Sequence, residues 1–229
     1  MRQILPGVFH WTAIHPKIHI EVSSYWLEDG GVLIDPLVPP DVGLDWFGQR
    51  SAAPAAIVLS NRHHYRESAR FAQRFGCAVH CNRAGLHEFT HGERVEAFDP
   101  GDRLAGGIVA YEIGGICPDD TALYLPAQRA LSFADGLVRG GLDGQGAGAG
   151  GAQSGAGDEE GGALGFVPDV LMDDPPETKR LLLASFERAL AELQFEHVLL
   201  AHGWPLVGNG RAALEQLVRR SGRAAFKRT

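Results

Sequence analysis

The side chains best equipped for chemistry crowd one stretch, Ser60-Asn61-Arg62-His63-His64-Tyr65-Arg66. It follows a short apolar run, Ile57 to Leu59, that reads as a buried strand, and it precedes a helical-looking segment from Ser68 to Phe75. Strand ends that feed helices are where α/β proteins commonly build sites. Imidazole, amide and guanidinium groups at such an edge could hold a metal, an anion or a proton. Two further positions share the same placement, because Asp135 follows the strand-like Arg129 to Phe133 and His202 follows His197 to Ala201. Imidazole nitrogen and carboxylate oxygen suit zinc, iron or manganese, and a sheet edge can unite residues far apart in the chain. Turn formation alone would also account for Asp135.

Other reactive types read more plainly. His10, His15 and His19 lie in a segment broken by Pro16, so their spacing fixes no shared direction; surface or packing roles are expected, the alternative being that one of them lies near a ligand. Cys77 and Cys81 flank a strand-like Ala78-Val-His80, where ordinary burial is expected rather than zinc binding.

The elements that must position these residues follow from periodicity and punctuation. Val22 to Leu27 and Val32 to Ile34 read as a hairpin across Glu28-Asp-Gly-Gly31, and Asp35 with Pro36, Pro39 and Pro40 ends it. A short helix is predicted around Val42 to Phe47. The Ile57 strand, a helix from Glu67 to Phe75 closed by Gly76, and Cys77 to His80 make a β-α-β unit. Residues 94–111 alternate short strands with turns, and Ala122 to Leu125 is a further strand. Leu181, Leu182, Phe186, Ala189, Leu190 and Leu193 recur at helical spacing behind the cap-like Asp173-Asp174-Pro175-Pro176. A last short helix is predicted from Arg211 to about Arg219.

Composition sets the outer limits. The 229 residues, 45% of them hydrophobic, suffice for one substantial core, so one domain over 1–229 is expected. A net charge of −7 argues against general affinity for nucleic acid, and the basic tail around Arg219, Arg220, Arg223, Lys227 and Arg228 reads as a solvated terminus. Three cysteines and no signal-peptide pattern point to the cytoplasm, and no apolar run is long enough for a bilayer. Residues 140–162 include 11 glycines among small and acidic residues, the composition of a mobile insertion. No phosphate-gripping Gly-Lys-Ser/Thr ending occurs in it.

Taken together, these stretches resemble the metallo-β-lactamase-fold hydrolase superfamily over nearly the whole chain, the Gly-rich insertion excepted. The resemblance rests on Ser24 to Leu27, Leu33-Ile34-Asp35, Leu59 to Ser68, Gly114 to Leu125, Phe133-Ala-Asp135 and His202-Gly-Trp-Pro205. It implies an α/β fold, α+β in some schemes, in which two mixed sheets form a four-layer αββα sandwich with a metal site at one edge. Active relatives carry Thr-His-X-His-X-Asp-His where this chain has Ser60 to Arg66. Set against that motif, His63 falls on a ligand position, while Asn61, Tyr65 and Arg66 replace a histidine, the aspartate and a histidine. The family's Gly-His pair is here Gly114-Gly115; Asp135 matches the bridging aspartate and His202 the late histidine.

Two expectations follow. In the first the two-metal centre is lost, no cofactor is held, and the pocket binds a small anionic molecule through Arg66, helped by Arg62, unless Arg66 pairs with Asp135 instead. Arg66 also places positive charge where ions would sit. In the alternative, His63, Asp135 and His202 keep one zinc or iron ion, with Asn61, His64 or water completing the shell, and hydrolyse an ester, thioester or related bond. His64, next to His63, is expected to face the other way and pack if the strand persists, a constraint that a loop would relax. Covalent hydrolysis is the weakest reading, because no Cys-His pair stands at a recognisable elbow. Oligomeric state is not legible.

Overall fold

The computed structural model describes residues 1–140 and 162–226. The insertion expected over 140–162 therefore lies outside the described residues except for its two end glycines, as do the last basic residues of the tail.

Seven strands run in chain order across the first sheet: β1 (Arg2–Leu5), β2 (Val8–Ile14), β3 (Glu21–Leu27), β4 (Val32–Ile34), β5 (Ala56–Val58), β6 (Ala78–Asn82) and β7 (Val95–Phe98). The first four are antiparallel and the last four parallel. The second sheet has the order β13-β10-β9-β8, with β8 (Val109–Glu112), β9 (Thr121–Leu125), β10 (Ala130–Phe133) and β13 (His197–Leu200). In it β13 and β10 are parallel and the other pairs antiparallel. A small ribbon joins β11 (Val138–Arg139) to β12 (Leu164–Gly165). The helices are α1 (Asp45–Gly48), α2 (Ser68–Phe75), α3 (Pro175–Glu192) and α4 (Gly210–Phe226).

The layer order follows from the two-residue alternation of strand side chains. Tyr25, Leu27, Val32, Ile34, Ala56 and Val58 point inward and meet Leu123, Leu125, Ala130 and Leu199 of the second sheet. Trp26, Leu33, Ile57 and Leu59 point the other way, onto Phe47 of α1 and Phe71 of α2. On the far side Leu131, Phe133, Val198 and Leu200 meet Leu182 and Phe186 of α3 and Leu214 of α4. The result is helix, sheet, sheet, helix. Tyr25 also stitches the sheets, its hydroxyl donating to Leu200 O at 2.8 Å and accepting from Leu200 N at 3.0 Å.

Elements diverge from the sequence reading where local signals mislead. Residues 8–14, which read as irregular, form the long strand β2, because the β3 ladder overrides weak local propensity. α4 runs to Phe226 rather than Arg219. α3 begins as its sequence suggests, with the Asp174 carboxylate accepting from Glu177 N at 3.0 Å. No helix among the described residues is long and apolar enough to cross a membrane.

Candidate metal centre

Three side chains from distant stretches converge: His64, Asp135 and His202 each offer a ligand atom within 4.8 Å of the others. Asp135 and His202 are delivered by register. β10 and β13 pair Phe133 with Leu200, and each side chain stands two residues beyond that pair, so parallel strands set the two side by side. The His202 Nε2 lies 2.9 Å from Asp135 Oδ1. Gly203 then lets the chain pass close to β11: at φ +101° a Cβ there would fall 2.6 Å from Arg139 O.

His64 arrives by a different route. The strand pairing stops at Val58, and Arg62 to Tyr65 form a 3₁₀ turn capped by Asn61, whose Oδ1 accepts from His63 N at 2.9 Å. On that turn His63 is exposed and His64 is buried. The expected set of His63, Asp135 and His202 is therefore corrected: His64 is the converging histidine. Strand alternation does not govern a turn, so facing directions could not be assigned by counting in twos.

Around His64 the first sheet supplies a buttress. Asp35, one residue past β4, accepts at Oδ2 from His64 Nδ1 at 3.0 Å and at Oδ1 from Ser60 N at 2.8 Å, and the Ser60 hydroxyl also binds this carboxylate. That leaves His64 Nε2 facing Asp135 Oδ1 at 3.2 Å. Asn61 Nδ2 donates to the other oxygen, Asp135 Oδ2, at 2.7 Å. Burial opposes charge on His64, but Asp35 and then Asp135 outweigh it and lift its pKa to about 9. Burial likewise pushes Asp135 up, while His64 and His202 hold it well below the carboxylate range. His202 is lowered, mainly by burial, with Asp135 acting against that. Asp120, also buried, is pushed well above the carboxylate range, by burial first and then by the charge of Asp135. The two carboxylates thus favour charge on His64, while burial disfavours it on His202.

Arg66 sits at φ 46°, ψ −115°, an uncommon conformation for a residue with a side chain, and Asp35 is also at positive φ, 47°. Arg66 Nη1 donates to Ser23 O at 2.6 Å and Asp35 O at 2.7 Å. It forms no ion pair with Asp135, while its Nε and Nη2 are buried without a partner. Arg62 is committed to Asp119, which also accepts from its backbone N–H at 2.7 Å. The half-buried Tyr65 sets its ring 5.6 Å from that of Phe89. A cavity of about 750 Å³ opens over His64, Arg66, Asp135 and His202, and 23% of the Asp135 side chain remains exposed.

The donor set fits one ion. Asp35 on the far nitrogen of His64 is the carboxylate-imidazole arrangement that fixes a ligand histidine with Nε2 free to bind. Two histidine nitrogens and a carboxylate oxygen match the demands of zinc or iron. His202 Nδ1 is buried without a partner, so this second imidazole has no such support. No other group of three His, Cys, Asp or Glu side chains converges in this way among the described residues. Gly115 has no room for a donor side chain as the chain is packed: at φ +101° its Cβ position lies 2.9 Å from Leu182 Cγ of α3.

Asp35 and Ser60 were missed as site residues by the sequence reading, although Asp35 carries the signal that singled out Asp135, an acid just past a short apolar strand.

No protein-family model matches the sequence, and no curated protein matches it. Solved structures do match. The metallo-beta-lactamase family protein TTHA1429 from Thermus thermophilus aligns over 96% of this chain and 81% of its own, at 17% identity and TM-score 0.61. TTHA1623 in a di-iron-bound form aligns over 87% and 94%, at 22% identity and TM-score 0.59. The metallo-beta-lactamase from Pontibacter korlensis aligns over 95% and 97%, at 18% identity and TM-score 0.63. The chain therefore has the metallo-β-lactamase fold, and among the described residues its converging metal-type donors form one cluster, His64, Asp135 and His202.

Proposed function

We propose that the protein is a mononuclear metal-dependent hydrolase of an ester, thioester or related bond, with His64, Asp135 and His202 holding one zinc or iron ion. The observation that carries this reading is the convergence of the three donors under an open cavity, with Asp35 already on the far nitrogen of His64. An ion held there supplies Lewis-acid polarisation of a carbonyl and acidifies water. The chain's own groups prepare the rest. Asp35 keeps the Nδ1 proton of His64, so that the Nε2 proton is the one given up on binding. Asn61 occupies Asp135 Oδ2 and leaves Oδ1 toward the two histidines. Iron is a natural alternative to zinc, because a structural neighbour is described in a di-iron-bound form. Three unpaired thiols, Cys77, Cys81 and Cys117, agree with a reducing cytoplasmic setting, and the whole chain is taken to act as one domain.

The test is metal analysis of protein purified without chelators, together with turnover of p-nitrophenyl acetate and an acetyl thioester before and after metal removal. About one ion per chain is expected, as for a single set of three protein donors with an open position, and His64→Ala or His202→Ala loses both ion and turnover. Protein that takes up no zinc or iron and shows no metal-dependent turnover rejects the reading. A second reading, a metal-free pocket for a small anionic molecule, draws on the unpartnered Nε and Nη2 of Arg66. It gains ground under that negative result if inorganic phosphate or acetate binds and Arg66→Met abolishes the binding.

A further inference from the structure

The loop between β2 and β3 carries a histidine that the donor cluster does not use. His15 lines the same cavity as His64, Arg66, Asp135 and His202, one residue past the end of β2. Its backbone is fixed on both sides: His15 N donates to Ile20 O at 2.8 Å, and His15 O accepts from His19 N at 2.9 Å. Its ring is fixed as well. Nδ1 accepts from Lys17 N at 3.2 Å and, more weakly, from Ile18 N at 3.4 Å.

Those two contacts decide the tautomer. A nitrogen that accepts from backbone N–H groups carries no proton, so the one N–H of the neutral ring is at Nε2. Nε2 has no protein partner among the described residues. Burial, and after it the charges of Arg66, His64 and Lys17, lower the His15 pKa in the same sense. The same wiring disqualifies His15 as a fourth metal ligand. Freeing Nε2 to bind an ion would place the proton on Nδ1, against the N–H groups of Lys17 and Ile18.

We infer that His15 is a neutral hydrogen-bond donor, its Nε2–H presented across the cavity to the ligand's acyl oxygen and to the negative charge that grows there during hydrolysis. This rests on the hydrolase reading above for its role in turnover, though not for its binding of an oxyanion. Donors aimed at such an oxygen contribute more in the transition state than in the bound substrate. A ring whose backbone and far nitrogen are both tied down loses little freedom in making that bond.

The competing account is that His15 merely caps its own turn, and two substitutions separate the accounts. His15→Asn can still accept from Lys17 N and Ile18 N through Oδ1, as an Asx turn does, but is too short to donate across the cavity. His15→Gln places an amide N–H near the position of Nε2 and gives up the cap. With metal-loaded protein and p-nitrophenyl acetate, His15→Asn is expected to lose about 10- to 100-fold in kcat/KM with an unchanged melting temperature, and His15→Gln to recover most of it. The reverse order, with Asn like wild type and Gln impaired, overturns the inference.

A second readout does not depend on turnover. Methylphosphonate, a tetrahedral oxyanion, is titrated into metal-stripped protein while the ring nitrogens of His15 are followed by NMR. The free ring should carry its proton on Nε2, methylphosphonate should shift that nitrogen, and His15→Asn should bind at least about tenfold more weakly. A proton on Nδ1, no binding by the wild type, or equal binding by His15→Asn each overturns the inference. Absence of turnover beside His15-dependent binding would instead indict the hydrolase reading.

Discussion

The two sheets hold their shares of the cluster by different means. On the second sheet Asp135 and His202 stand where parallel register leaves them, each two residues beyond the Phe133–Leu200 pair. On the first sheet β4 and β5 pair Ile34 with Val58; beyond that pair Asp35 follows β4 at positive φ, and after β5 the chain makes the 3₁₀ turn Arg62–Tyr65, closed by Arg66, also at positive φ. His64 is held by side chains, namely Asp35, Ser60 and Asn61. Register is maintained by many backbone bonds and survives single substitutions. A buttress of polar side chains is cooperative, and each member removed leaves others buried without partners. The first sheet should therefore be the fragile half of the site, and Asp135, where the halves meet, the most sensitive single position.

The largest effect is expected there. Asp135→Ala leaves Asn61 Nδ2, His64 Nε2 and His202 Nε2 without their shared acceptor, and takes from His64 one of its two carboxylate partners, Asp35 remaining on Nδ1. Breaking a buried charged pair from one side costs about 3–5 kcal/mol. Urea unfolding of the metal-free protein measures it, and a loss below about 1 kcal/mol, the size of an ordinary net hydrogen bond, would show that the halves are held independently.

Gly115 gives the next effect and bears on why the cluster cannot simply be refilled. Gly115→Ala combines an unfavourable positive φ with contact against Leu182, about 2–4 kcal/mol together. Leu182→Ala in the same chain should recover the contact part but not the backbone part, so the double mutant is less than additive. Additivity within about 0.3 kcal/mol would mean that the collision with α3 is not what excludes a side chain.

Acid should act mainly on the inner face of β2. His10 is buried, its Nε2 on Ser23 Oγ at 2.9 Å, and burial first, then the N-terminal ammonium and Arg2, lower its pKa to about 3. The unfolded chain takes up this proton near pH 6.5 while the folded chain refuses it until about 3. The contribution is thus whole above 6.5 and declines as pH falls through that window, at up to about 1.4 kcal/mol per pH unit. His10→Gln, which can still reach Ser23, should remove about one proton from the slope of stability between pH 6 and 4. An unchanged slope would assign the acid sensitivity to the carboxylates around His64.

What could be read from the sequence follows the same division. The layers were legible because apolar residues alternate in strands and recur at helical spacing along α3, and Asp135 and His202 because a strand end points somewhere definite. His64 was not, because the turn from Arg62 to Tyr65 has no periodicity to count and its direction depends on Asn61 accepting from His63 N. β2 was hidden by Pro6, Gly7 and Pro16 at its borders, although only ladder pairing with β3 decides such a segment. The buttressing role of Asp35 depends on a contact with a residue 29 positions away, which no local pattern records.

The smallest effect is the sharpest test of that turn. His63 and His64 are adjacent and chemically identical, and the family motif alone favours the first. His63 is exposed and makes only a backbone contact to Asn61, so His63→Ala should change stability by less than about 0.5 kcal/mol, as surface substitutions do. It should also leave metal uptake unaltered, whereas His64→Ala abolishes uptake and unpairs Asp35. A chain that loses its ion on His63→Ala and keeps it on His64→Ala would require the turn to rotate by one residue. The Asn61 cap would then break and Asp35 would lose its imidazole, so structure and motif cannot both be satisfied by one placement of the two rings.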